Sequence, residues 1–238
     1  MSTSYFIIWQ SSDPKIVGVK NGGSQAHIDR EGFSDKSNYD RYYDFFADRS
    51  SAIWSKLDMI PDFEFTLEYV GLEKNAKLTD FLSYYPTAFR AHYLMSEKAV
   101  HVLEQHKLPP CKKYPAKVYL NDKDFVHYQL VYFPALGYDT VNFTETIFYK
   151  GDELIGKEHF KISSHEEFER VRAKSVFDIE ELVLTKSFDK GLDIFTIKVT
   201  SEFIITAKLK EAIVKEKLTG INLIEAKGPR QMRIVLKD

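Results

Sequence analysis

The sequence has little cysteine, little net charge and no long apolar run. A single cysteine, Cys111, excludes an internal disulfide framework and suits a reducing compartment. The 33 basic and 35 acidic side chains do not give the basic footprint of a nucleic-acid-binding protein or of a polybasic membrane anchor. No uncharged run approaches the roughly 20 residues that a membrane-spanning helix needs.

The N-terminal stretch MSTSYFIIWQSSDPK also lacks the features of a secretory leader. No basic residue precedes the apolar run from Tyr5 to Trp9, and no small-residue cleavage site follows it. We therefore expect a cytoplasmic protein that binds neither nucleic acid nor membrane. Aromatic residues make up 14% of the chain, which is ample for a substantial core and argues against disorder.

The most regular segment, LKEAIVKEKLTGINLIEA (Leu209–Ala226), has a less regular counterpart in AVHVLEQHKLPPCKKYPA (Ala99–Ala116). At an offset of 110 positions, Ser96 aligns with Thr206, and each follows an apolar pair and can cap a helix. Apolar residues then recur at helical spacing in both segments. We expect both helices to end after Lys-Leu, at Leu108 before two prolines and at Leu218 before Gly220.

A short strand is predicted after each helix, so the pattern indicates two copies of a strand–helix–strand unit. Between Leu94 and Val118 only five aligned positions are identical, and chance similarity of two capped helices is the alternative. Elsewhere we predict hairpins with turns at 121–124 and 150–152, a capping box from Ser164 to Glu167, and a final strand in MRIVLKD. Residues 20–38 are polar and are expected to form a flexible loop.

The order of these elements, with GLDIFTI and the closing LKEAIVKEKLTGINLIEA, resembles a large bacterial family of immunity proteins from polymorphic toxin systems. It is the family numbered eleven, long known as a domain of unknown function. The resemblance covers about residues 94–227. It implies a cytoplasmic protein that neutralises a cognate toxin by binding it, with no catalysis and no cofactor. We expect one globular domain over 1–238, with a family-like core at 91–238 and an N-terminal part at 1–90 that carries little of the pattern.

The histidines, the cysteine and the glycine pair do not form a recognisable catalytic or metal site. His165 and Glu166 lack a second histidine one helical turn on, and His101 and His106 are five residues apart and so lie on different helix faces. His127 alternates with apolar neighbours on a predicted strand, and Cys111 aligns with Ile221, which favours a small apolar position. Gly22-Gly23 is not followed by the Lys-Ser/Thr of a phosphate-binding loop. We therefore predict no catalytic, cofactor or metal residue.

One predicted helix, NYDRYYDFFADRS, is a candidate partner-binding surface. Tyr39, Tyr42, Tyr43 and Phe46 follow the i, i+3, i+4, i+7 pattern, and Asp40, Asp44 and Asp48 form a second face at i, i+4, i+8. The alternative is an aromatic core stripe with a solvated acidic back. As a binding surface, the predicted contact residues are Tyr39, Asp40, Tyr43, Asp44 and Asp48, which would meet a basic toxin.

The sequence thus predicts an α+β fold with a mixed, mostly antiparallel sheet, a few short helices and two related strand–helix–strand units. The predicted function is neutralisation of a toxin by steric blocking. Two alternatives stay open: an enzyme or small-molecule-binding protein without recognisable motifs, and a scaffold that assembles with itself.

Overall fold

The computed structural model describes residues 4–20, 23–48, 56–87, 92–152, 154, 156–200, 202–226 and 232–237. The α-helices in these ranges are α1 (Pro14–Val17), α2 (Lys36–Tyr42), α3 (Glu97–Glu104), α4 (His165–Arg172) and α5 (Ala207–Lys215). The strands are β1 (Tyr5–Gln10), β2 (Ala26–His27), β3 (Leu67–Leu72), β4 (Phe81–Leu82), β5 (Tyr84–Tyr85), β6 (His92–Ser96), β7 (Lys112–Tyr119), β8 (Phe125–Tyr132), β9 (Ile147–Asp152), β10 (Gly156–Phe160), β11 (Asp178–Leu184), β12 (Ile194–Phe195), β13 (Phe203–Thr206), β14 (Ile221–Glu225) and β15 (Arg233–Leu236). No helix within the described ranges is long and apolar enough to cross a membrane.

The strands form three sheets, and most neighbouring strands are antiparallel. One sheet has the order β4-β6-β8-β7-β3-β2-β5, the second β12-β13-β1-β14 and the third β10-β9-β11-β15. The parallel pairs are β2–β5, β3–β7 and β11–β15. The predicted α+β class is confirmed. Strand pairing also crosses residue 90, because β1 pairs with β13 and β14, and β3 pairs with β7.

Both predicted strand–helix–strand units are present, as β6-α3-β7 and β13-α5-β14. In each unit the two strands flank a central antiparallel strand, which is β8 in the first and β1 in the second. The pairings are Leu94 and Tyr114 with Leu130 in the first unit, and Ile204 and Ile224 with Ile7 in the second. Residues 110 positions apart in the two units therefore pair with the central strand in the same register, on both of its sides. This agreement favours a true repeat over chance similarity.

The two repeats are connected differently along the chain. In the first, the central strand β8 follows β7 through a tight hairpin. In the second, the central strand is the N-terminal β1, and Tyr5 at its start pairs with Thr206. The N-terminal strand therefore completes a unit whose other elements lie near the opposite end of the chain.

Both helix N-termini are capped as the sequence predicts, but both helices end early. The hydroxyl of Ser96 accepts the N–H of Ala99 at 3.1 Å, and that of Thr206 accepts the N–H of Leu209 at 3.4 Å. Helix α3 ends at Glu104 rather than at Leu108, because the next N–H groups turn back to carbonyls three residues earlier.

Helix α5 ends at Lys215, and the residue that closes it is Lys217 rather than Gly220. Lys217 has a φ of 53°, and the N–H of Leu218 donates to the carbonyl of Ile213 at 3.0 Å. This is a Schellman closure with lysine in the left-handed position. Gly220 has a φ of 93° and serves a different purpose, because a Cβ there would lie 2.1 Å from the carbonyl oxygen of Phe81.

In each repeat, a carboxylate links the helix cap to the other repeat by hydrogen bonds. These two carboxylates were not predicted from the sequence. Asp193 accepts the hydroxyl of Thr206 at 2.7 Å and the N–H of Lys107, after α3, at 3.1 Å. Asp80 accepts the hydroxyl of Ser96 at 2.8 Å and the N–H of Thr219, after α5, at 2.9 Å. The similar segments DFL at 80–82 and DIF at 193–195 are the sequence signal for this pair.

Helices α3 and α5 share one apolar core between the two repeats. Ala99 and Leu103 from α3 meet Leu209 and Ile213 from α5, all of them buried. Cys111 and Ile221, which align at the offset of 110, both pack partly buried against this core. That placement agrees with the small apolar role predicted for Cys111, and burial raises the pKa of its thiol.

The remaining sequence predictions are partly right. The turn at 121–124 is confirmed, since Asn121 Oδ1 accepts the N–H groups of Lys123 and Asp124 at 2.9 Å. The Ser164 cap and the final strand are also confirmed. The turn predicted at 150–152 is wrong, because β9 extends through Asp152. The flexible loop at 20–38 is wrong as well, since its described part contains β2 and the start of α2.

Candidate functional site

An open groove lies where α2 meets β2 and β5. Its volume is about 610 Å³, and it is lined by His27, Ile28, Asp29, Tyr39, Tyr43, Ala47, Asp48, Tyr85 and Pro86. Three of the five predicted partner-binding residues, Tyr39, Tyr43 and Asp48, therefore come together on it. The other two, Asp40 and Asp44, are not among the lining residues.

Helix α2, which carries Tyr39 and leads into the turn with Tyr43, is fixed at its N-terminus by two carboxylates. Asp35 caps the helix by accepting the N–H of Ser37 at 2.9 Å. Glu68 on β3 accepts the N–H of Ser34 at 2.8 Å and the side-chain amide of Asn38 at 2.7 Å. Burial alone raises the pKa of Glu68, but the hydrogen bonds from Ser34, Asn38 and Asp35 outweigh it and hold the pKa at about 2.

After Tyr42 the helix widens into a π-helical turn, Tyr43–Ala47, and this turn divides the predicted aromatic face. The N–H of Asp48 donates to the carbonyl of Tyr43 at 2.8 Å. Tyr42 and Phe46 stack on each other and are fully buried. Tyr39 is half-buried and Tyr43 is 41% exposed, and their rings stack with centroids 5.8 Å apart. Two of the four rings are therefore core, and the other two form a wall of the groove.

The predicted acidic ridge is not continuous. Asp40 forms an exposed ion pair with Arg30, at 2.9 and 3.2 Å, and the hydrogen bond from Arg30 lowers the pKa of Asp40. Asp44 is exposed, and Asp48 is half-buried on the groove. The i, i+4, i+8 spacing assumes a regular α-helix, and the π-helical turn breaks that spacing between Asp44 and Asp48.

Tyr85 and Pro86 also line the groove, and hydrogen bonds hold their backbone carbonyls. The carbonyl of Tyr85 accepts the N–H of Ile28 at 2.8 Å, and the carbonyl of Pro86 accepts the hydroxyl of Tyr42. The Tyr85 side chain is nevertheless 57% exposed. The backbone is thus anchored while the ring is presented to solvent, which is a rigid way to display an aromatic contact.

The chain segment that supplies five of the nine lining residues is acidic. Residues 29–48 carry six acidic and three basic side chains, a net charge of −3, in a chain whose total is −2. His27 on the rim is engaged with Glu73 at 2.9 Å. Burial, followed by the neighbouring Tyr43 and Asp29, raises the pKa of the Tyr39 phenol, so that ring stays neutral at physiological pH.

A second cavity, of about 280 Å³, lies between β1, β5 and β6. It is lined by Ile8, Trp9, Gln10, Tyr84, Thr87, His92 and Tyr93. Burial lowers the pKa of His92 to about 3, although a hydrogen bond to the Phe46 backbone acts in the opposite direction. Its ring nitrogens also contact the Tyr84 hydroxyl and, at 3.2 Å, the Thr87 hydroxyl. His92 is therefore a neutral, hydrogen-bonded core histidine at the wall of this cavity, and the sequence reasoning missed it.

The other ionisable side chains considered from the sequence are dispersed. His165 is exposed and stacks on Tyr138, and His127 is exposed on β8. His101 meets Gln105 at 3.0 Å, whereas His106 meets Asp193 at 3.3 Å. Gly22 lies outside the described residues. Within the described ranges, no three His, Cys, Asp or Glu side chains are grouped as metal ligands would be.

No protein-family model and no curated protein matches the chain. The groove and its charges are therefore the basis on which a function can be proposed.

Proposed function

We propose that this protein is an immunity protein that binds a cognate bacterial toxin and blocks the toxin sterically, without catalysis. The observation that carries the proposal is the groove, where Tyr43 and Tyr85 are 41% and 57% exposed on anchored backbone beside the carboxylates of Asp29 and Asp48. Tyrosine gives a large contact area at a small entropic cost, and it is enriched among the residues that dominate binding energy.

Two further features support the same proposal. The net charge of −3 over residues 29–48 suits a basic partner surface, because complementary charge speeds encounter and disfavours wrong partners. The resemblance of residues 94–227 to the immunity family gives the class of partner. The described lining residues of the groove all precede residue 94, so in this proposal the N-terminal part carries the contact, and the first duplicated unit supports it through the pairing of β7 with β3.

The test is co-expression with the product of the adjacent upstream gene, followed by titration of the purified proteins. We expect growth to be rescued, a stable complex to form, and toxin activity to fall linearly until one equivalent of this protein is present. Loss of activity at far less than one equivalent would indicate turnover and would contradict steric blocking. Absence of rescue and of a complex would contradict the proposal altogether.

A small-molecule-binding function is the second candidate, because the cavity beside His92 combines buried aromatic and polar groups. Its volume of about 280 Å³ lies just below the usual range for ligand pockets, and each His92 nitrogen already has a protein contact. Both features favour the toxin-binding proposal. A metabolite screen by thermal shift, repeated with Trp9→Ala, tests this candidate. A stabilising compound whose effect disappears in the variant would support it.

A further inference from the structure

We propose that the groove is a binding site for a guanidinium group, so that the partner anchors itself by one arginine side chain. The described lining residues include two carboxylates and three tyrosine rings but no lysine or arginine. Two basic side chains of the described residues 29–48 are already engaged. Arg30 pairs with Asp40, and Lys36 donates to the carbonyl of Arg30 at 2.8 Å.

The exposed rings of the groove suit a planar cation. Tyr39 and Tyr43 stack at an interplanar angle of 22°, and Tyr43 and Tyr85, which line the same groove, are 41% and 57% exposed. A cation over an aromatic face is attracted by the ring quadrupole, and guanidinium in addition stacks on the ring because it is planar and weakly hydrated.

The carboxylate of Asp29 supplies the polar half of the site. Its Oδ1 accepts the N–H of Glu31 at 3.0 Å and so caps a short 3-10 turn, Arg30–Gly32, and its Oδ2 has no donor among the described residues. An exposed carboxylate oxygen of this kind can accept a charge-assisted hydrogen bond from a guanidinium N–H. Arginine therefore fits the site better than lysine, whose ammonium is compact and strongly hydrated.

The identity of the partner rests on the proposed function, but the site itself can be tested on the protein alone. The probes are N-acetyl-arginine amide and its uncharged isostere N-acetyl-citrulline amide, with N-acetyl-lysine amide as the third. Tyrosine-ring resonances are followed by NMR during titration. We expect shifts at Tyr39, Tyr43 and Tyr85, with arginine amide binding at least about fivefold more tightly than either other probe.

Two pairs of variants locate the effect. Asp29→Asn keeps an acceptor for the helix cap, so the fold is retained while arginine affinity falls about three- to tenfold. Its control is Asp122→Asn, an exposed aspartate in the β7–β8 turn. Tyr43→Ala removes half of the wall, and Phe125→Ala, at 39% exposure, is its control.

Equal binding of arginine and citrulline amides, equal binding of arginine and lysine amides, or an absence of shifts would each overturn the site. These outcomes are separate from the toxin test. If toxin binding persists while the arginine probe does not bind, only the guanidinium site is wrong. If the probe binds and no toxin complex forms, only the proposed function is wrong.

Discussion

Replacing Asp193 by alanine should destabilise the protein by about 3 kcal/mol. Asp193 is 5% exposed, and its carboxylate holds the Thr206 cap at 2.7 Å and the N–H of Lys107 at 3.1 Å. Each buried donor left without an acceptor costs about 1–3 kcal/mol. Lys208, which also donates to Asp193 at 3.2 Å, is 68% exposed at its side chain and returns to water at little cost.

The assay is chemical denaturation at pH 7 with a thermal melt alongside. At roughly 2–4 °C per kcal/mol for a chain of this size, a loss of 3 kcal/mol lowers Tm by about 6–12 °C. Asp80→Ala should cost less, about 1–2 kcal/mol, because Asp80 is only half-buried and water can replace it. Asp122→Ala, in an exposed turn, is the control and should stay within about 0.5 kcal/mol of wild type.

The pH dependence of the Asp193 contribution follows from its depressed pKa. Burial raises the pKa of Asp193, but hydrogen bonds from Thr206, the Lys107 N–H and Lys208 outweigh it. The contribution is therefore fully present above the unfolded pKa of about 3.9, and it is lost as pH falls through the folded value. A cost under about 0.5 kcal/mol for Asp193→Ala at pH 7, or a larger cost for Asp80→Ala than for Asp193→Ala, would contradict this prediction.

Three other changes have definite expected outcomes. Glu68→Gln should lower the free energy of unfolding by about 1–2 kcal/mol at pH 7, a value already reduced for solvent screening. Urea denaturation at a series of pH values should show this difference from wild type vanishing as pH falls from 4.5 towards 2. Lys217→Gly should stabilise the chain by about 0.5–1 kcal/mol, because glycine adopts the φ of 53° without strain; an unchanged or lower urea midpoint would contradict the Schellman closure. Gly220→Ala should cost more than about 3 kcal/mol, since its Cβ would meet the Phe81 carbonyl at 2.1 Å, and normal expression with an unchanged Tm would refute that close approach.

The local parts of the fold were predictable because they depend on neighbouring residues. Ser96 and Thr206 cap helices through their own hydroxyls, and Asn121 closes a turn on itself. The offset between the two units could be read as well, because apolar spacing is a local property. What the sequence did not reveal is that β1 is the central strand of the second unit, since that pairing joins Tyr5 to Thr206.

The candidate site was only partly predictable for a related reason. Tyr39 and Tyr43 were identified by their spacing, but a spacing rule assumes a regular helix, and tertiary packing of Phe45 and Phe46 accompanies a π-helical turn here. Tyr85 was missed because it reaches the groove through the parallel pairing of β2 with β5, whose strands are 58 residues apart in sequence. Asp29 was missed because it lies in a segment that was expected to be a flexible loop.

The most direct test of toxin binding through the groove is calorimetric titration of the inactive toxin with wild-type protein and with the double variant Tyr43→Ala/Tyr85→Ala. Truncating a central aromatic contact costs about 2 kcal/mol or more, so the double variant should bind at least about 30-fold more weakly. The control variant Phe125→Ala should bind like wild type. Unchanged affinity of the double variant, with its Tm intact, would contradict the account.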